Sequence, residues 1–269
     1  TRTLASPQRT MQSTNDTPSQ ARARPRSRTP PFHNATIPVG RPKAHDYSED
    51  VYSLIQTAIR RYESKVVTCA AFPTLEDQMK WAEAVWKNAN TSFNEPYKLT
   101  SRINSLIKGS SSNARGELKI AVRKLIPHVY GLTTDGKAKA IAKNKKRVAQ
   151  LLAGHAYMYK DSVGLTGYAE APIISLVLRA TWFKNARDRG NEFSNYFNPI
   201  TAVTLALIFT MVRYCLEEWV NGVEIEGAPF TEAGYKQQYD ARLSDIEDWT
   251  RENPEFFKNL GRKLYTRAR

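Results

Sequence analysis

The 269-residue chain is long enough to enclose a sizeable core without metals or staples, and its 41% hydrophobic and 25% charged residues exclude a wholly disordered, collagenous or membrane-saturated protein. Two cysteines, Cys69 and Cys215, exclude a disulfide framework and a cysteine-only zinc site, and suit a reducing compartment. Forty lysines and arginines against 26 acids leave +14, which favours acidic partners such as DNA or RNA.

The first 44 residues carry eight basic side chains (Arg2, Arg9, Arg22, Arg24, Arg26, Arg28, Arg41 and Lys43) against Asp16 alone, and seven of the 14 prolines. Phe32 is the only aromatic there, so the segment buries too little apolar surface to offset its ordering entropy, and residues 1–45 are expected to form a disordered arm. It has no apolar run of signal-peptide length, and its prolines oppose an amphipathic transit helix; an intracellular protein, nuclear or cytoplasmic, is expected. Within the arm, Arg22, Arg24, Arg26 and Arg28 make a short basic cluster suited to nuclear import or to phosphate contacts.

From Ser48, apolar residues Val51, Leu54, Ile55, Ala58, Ile59 and Tyr62 recur at helical steps, and the helix is predicted to break across Val66 to Pro73. Thr74 with Asp77 caps a second helix reaching about Asn90, and a third runs from Ser101 to Lys108. A fourth starts near Ala114 and stops at Gly131, and a fifth spans Lys137 to Leu152. Gly154 to Gly167 reads as a linker, followed by a helix from about Ala171 to Asn185 with Pro172 in its first turn. The most apolar segment, Pro199 to Val220, is too short in its uninterrupted part for a bilayer and reads as a buried central helix, so no membrane role is expected. Thr231 opens another helix, and Pro254 starts a last one within a basic C-terminal segment, 251–269. No useful stretch alternates with period two. The predicted fold is all-α, a single helical domain of about eight to nine helices over residues 46–250.

The ordered series Cys69 to Pro73, Asn113 to Lys119, Tyr157 to Lys160, Trp182 to Asn185, Tyr196 to Ile200 and Cys215 to Trp219 resembles domain of unknown function 6532, a family of mushroom-forming fungi (Agaricomycetes). The resemblance covers about Ser48 to Trp249 and departs at Asn113, where many relatives carry histidine. It implies an intracellular fungal protein with an all-helical domain, and brings no catalytic residue.

Signals for chemistry are sparse. The chain lacks His-Glu-x-x-His, paired Cys-x-x-Cys, a phosphate loop, a dinucleotide fingerprint and a nucleophile elbow, so no cofactor and no metal is expected. Cys69 and Cys215 sit in apolar surroundings and read as small buried hydrophobes, while His128 and His155 are isolated. Glu217 and Glu218 diverge by about 100° on a helix, so they do not form an acid pair. The basic residues are better organised. Arg115, Lys119 and Arg123 recur at four-residue steps with Lys124 beside them, and Lys143, Lys145, Lys146 and Arg147 crowd the following helix.

The reading these residues favour is a non-enzymatic nucleic-acid-associated protein that holds phosphates through this helical surface and the arginine-rich arm. The alternative is a protein-interaction or self-assembly module, with an oligomer or protein partner formed through the aromatic region Tyr235 to Tyr265. An enzyme would require a pocket gathering His155, Asp161 or Glu217 with basic side chains.

Overall fold

The computed structural model describes residues 27–34, 36–93, 96–227 and 229–269. Helix α1 (Glu49–Thr68) buries the predicted stripe and runs beyond it, because Val66 and Val67 are also enclosed; the Cys69 amide still reaches the Lys65 carbonyl at 2.8 Å. The break therefore falls at Ala70 to Pro73 rather than at Val66. Thr74 caps α2 (Leu75–Ala89) by accepting the Asp77 amide at 3.1 Å, as the spacing predicts.

Helices α3 (Ser101–Gly109) and α4 (Ser111–Tyr130) follow with one residue between them, and α4 ends at Gly131, whose left-handed φ of 67° strains a residue with a Cβ and favours glycine. Helix α5 (Ala138–Leu152) leads into a segment that is more than a linker: a short antiparallel hairpin, β1 (Tyr159–Asp161) and β2 (Thr166–Tyr168), pairs Tyr159 with Tyr168. Helix α6 (Pro172–Trp182) is shorter than predicted, and single turns α7 (Arg189–Glu192) and α8 (Ser194–Phe197) follow it.

Helix α9 (Ala202–Glu217) is the predicted centre. Twelve of its 16 residues are buried, and it touches α1, α4, α5, α6 and the next helix, α10 (Glu232–Glu252). Each large side chain enclosed there stabilises the fold by about 1.5–3 kcal/mol before entropy is counted. The polar groups on this apolar helix are all engaged: Thr201 donates to the Thr68 carbonyl, Thr204 to Val67 and Thr210 to Ala206, each within 2.9 Å.

Helix α11 (Pro254–Ala268) is part of the same core and not an appended segment, since Leu260, Leu264, Tyr265 and Ala268 are buried and α11 packs on α6. Gly261 lets α11 also approach the segment before α9: a Cβ there would stand 2.7 Å from the Ile200 carbonyl oxygen. The arm is also shorter than predicted. From Ser27 onward the chain lies on the fold, with Phe32 stacked on Tyr47 at 4.8 Å and Arg28 bridged to Tyr97. The described residues of segment 27–45 therefore correct the expectation of disorder: Phe32 stacks on Tyr47 just before α1, the Pro31 carbonyl accepts the Ser48 amide, and Arg28 pairs through its backbone with Pro96 and Lys98 before α3. The expectation for residues 1–26 lies outside the described residues.

Candidate nucleic-acid interface and an aromatic cavity

The regular basic spacing on α4 does not make three outward charges. Arg115 turns inward, donates to the Ala71 carbonyl at 2.8 Å and lies over the Phe72 ring at 4.9 Å; burial lowers its pKa. Arg123 makes a two-pronged contact with Glu218, at 2.9 and 2.5 Å, and reaches Glu226 at 3.3 Å; this raises its pKa. Both are corrections to the phosphate-binding face, and the cause is the same: each guanidinium is committed to a group distant in sequence. Lys119 is half-buried and Lys124 exposed. Arg28 is docked with its guanidinium 4.5 Å from the Tyr97 ring centre, while Arg22, Arg24 and Arg26 lie outside the described residues.

Helix α5 is different. It contains no carboxylate, and Lys139, Lys143 and Lys146, at four- and three-residue steps, form one exposed stripe opposite the buried Asn144, Val148 and Leu151. Among the described residues no ion pair reaches these three or the exposed Lys145, whereas Lys137 leans toward Asp135 at 3.8 Å and Arg147 donates to Ser162 at 3.3 Å.

Asn144 sets this orientation. Its amide donates to the carbonyls of Thr133 and Gly222 at 2.8 and 2.9 Å and accepts the Thr133 amide at 3.1 Å, tying α5 to loops on both sides. Asn144→Ala strands those buried groups, so the expected loss is about 2 kcal/mol in a denaturant titration. A loss near zero would show that α5 is held by apolar contacts alone.

A second feature lies where the sequence reads a linker. Between the hairpin and α10 is a cavity of about 490 Å³, walled by Tyr159, Tyr168 and Trp249 with His155, Arg242 and Asp245. Tyr168 stands between the other two rings, 5.5 Å from Tyr159 and 5.1 Å from Trp249, at interplanar angles of 61° and 74°. His155 is not isolated: its Nε2 lies 2.7 Å from the Arg242 guanidinium, which can only donate, so a neutral ring accepts that hydrogen bond at Nε2. Burial and then the charge of Arg242 lower the His155 pKa, consistent with this neutral form. The groups that an enzyme reading would gather do not meet, because Asp161 accepts the Val163 amide in the hairpin turn and Glu217 pairs with Arg213. Glu218 is likewise taken, by Arg123. Cys69 is exposed, contrary to expectation, and Cys215 is buried with its thiol pKa pushed up by desolvation.

The aromatic C-terminal region faces inward more than the interaction reading requires. Tyr239 and Tyr265 are buried, Tyr235 stacks on Phe230 at 4.7 Å, and Trp249 meets Tyr168, leaving Phe256 as the exposed ring. Among the described residues no helix is long and apolar enough to cross a membrane, and no group of three or more His, Cys, Asp or Glu side chains is placed to hold a metal ion.

These features define an all-helical domain built around one apolar helix, with a lysine stripe on one helix and an aromatic cavity beside a small hairpin. Residues 57–249 match the family model described as domain of unknown function (DUF6532), and the chain belongs to that family. No curated protein and no solved structure matches it.

Proposed function

We propose that the protein is a non-enzymatic nucleic-acid-associated protein, binding phosphates through the α5 stripe of Lys139, Lys143 and Lys146, with Lys124 and Lys145 alongside and the cluster Arg22, Arg24 and Arg26 as a second contact. The observation that carries this reading is that α5 contains no carboxylate and exposes three lysines with no ion-pair partner among the described residues, while the arginines on α4 are tied internally. Three ammonium groups on one helix face suit a row of phosphates, and the sequence carries no recognisable helix-turn-helix or zinc finger, so binding through phosphates is largely independent of sequence and steep in salt.

Anisotropy of a labelled generic duplex and single strand, titrated at several salt concentrations, tests it. The full chain binds both at low salt, and K139E/K143E/K146E lowers the salt slope on duplex by about 3, near 0.9 for each phosphate released. R22A/R24A/R26A in the full chain removes only the arginine cluster, so its weaker binding reports that contact separately. Absence of binding by the full chain at low salt, or an unchanged slope in the triple variant, overturns the reading.

A further inference from the structure

The cavity beside the hairpin differs in character from the lysine stripe. The protein is strongly basic, yet this cavity is bounded by Asp245, Asp248 and Glu252 against Arg242 as its one positive charge. Asp245 pairs at 2.5 Å with Arg242, whose side chain is mostly buried, and Asp248 pairs with Arg251 at 3.0 Å at the surface, while Glu252 has no ion-pair partner among the described residues. The local excess is negative. The three rings are half-buried, each leaving part of its surface open to the cavity.

The backbone around these walls is unusual. The positive-φ residues other than glycine, among the described residues, are His155, Leu165 and Ala169 at 58°, 51° and 59°; Ala169 directly follows the strand that carries Tyr168, and His155 lies in the turn that leads into the strand of Tyr159. Such conformations cost free energy and persist where the surroundings hold a particular geometry; here they turn His155 onto Arg242 and seat the hairpin against α10. The Ala169 amide fastens the far side by donating to the Met158 carbonyl at 3.1 Å.

We propose that this cavity is a binding site for a small organic cation bearing a methylated ammonium group. Ring faces carry negative quadrupole charge but offer no strong hydrogen-bond acceptor, so they favour a cation that has already exchanged its N–H groups for methyls. Tyr168 is steeply inclined to both of its neighbours, so the aromatic wall presents non-coplanar surfaces, which suit a compact tetrahedral group better than a flat guanidinium or methylated purine. Glu252 at the rim supplies the longer-range attraction, and the volume leaves room for whatever chain the ammonium carries.

The same group can arrive on a free small molecule or on a methylated lysine side chain, and calorimetry with the full chain separates these. The probes are choline, trimethyllysine within a short neutral peptide, and dimethylbutanol, in which carbon replaces the charged nitrogen of choline. At least one cation binds while dimethylbutanol does not; tighter binding of choline assigns the site to a free amine, and tighter binding of the peptide to a side chain. Trp249→Leu weakens the cation about tenfold. Glu252→Gln, at an exposed position that the fold does not need, weakens it by a smaller factor of about three. Equal binding of choline and dimethylbutanol, no binding of either cation, or unchanged affinity in both variants overturns the proposal. None of these results depends on nucleic-acid binding.

Discussion

Replacing Arg123 with methionine is expected to destabilise the protein by about 3–5 kcal/mol, the cost of stranding a buried carboxylate. Glu218, which receives both prongs of the guanidinium, has a side chain only 1% exposed, so water cannot substitute for the lost donors. The damage spreads because Glu218 also organises the loop after α9: its carbonyl accepts the Ile225 amide at 2.9 Å, and its Oε1 accepts the Gly227 amide at 3.2 Å. That loop includes Gly222, whose carbonyl holds Asn144 on α5. Equilibrium unfolding of R123M measures the loss. R123M/E218M should recover most of it, because a methionine pair of similar volume leaves no charge to solvate. A loss below about 1 kcal/mol in the single variant would mean that Glu218 finds water or another donor, and that the contact is no more than an exposed ion pair.

How much of this was legible in the sequence depended on the range of the interactions involved. Helix positions were readable because caps and periodicity are local: Thr74 with Asp77, Pro172 in a first turn and the apolar run through Leu205 to Val212 each announce themselves within a few residues. The fate of a charge is not local. The spacing of Arg115, Lys119 and Arg123 describes one helix face correctly, but nothing in that spacing shows that Glu218 lies 95 residues away in sequence and in contact, or that Phe72 underlies Arg115. The α5 lysines were read correctly as outward because Asn144, Val148 and Leu151 define the opposite face, although asparagine as the anchor was not foreseen. The hairpin escaped notice since each strand has only three residues, too few for alternation to register, so that the glycines from Gly164 to Gly167 showed a turn but not the strands on either side of it. The aromatic cavity needed that hairpin and α10 together. Tyr159 and Trp249 were visible only as separate residues, and no periodicity joins them.

Arg189→Met is expected to cost a similar amount near neutral pH, about 3–5 kcal/mol, and to do so in a pH-dependent way. Arg189 lies buried on the single turn α7 and serves two carboxylates at once, Glu63 on α1 and Glu117 on α4; Lys184 supports Glu117 at 3.3 Å. Burial pushes the Glu63 carboxyl up to about 7, against the opposing pull of Arg189, with the charge of Glu117 adding to the rise. A carboxyl whose folded pKa exceeds its unfolded value of 4.5 binds its proton more tightly when folded. Its stabilising contribution is therefore complete below about pH 4.5 and is lost as pH rises through about 7. Removing Arg189 takes away the attraction that favours the carboxylate, so the folded pKa rises further and the ionised form becomes harder to keep inside. The difference between wild type and R189M should accordingly be small at pH 5, where Glu63 is mostly protonated in the fold, and grow toward pH 8. Denaturant midpoints across that range measure it, and Glu63→Gln placed on R189M should flatten the profile by removing the titrating group. A difference that stays constant from pH 5 to 8 would show that Glu63 does not change its protonation there, and that Arg189 acts through Glu117 and packing alone.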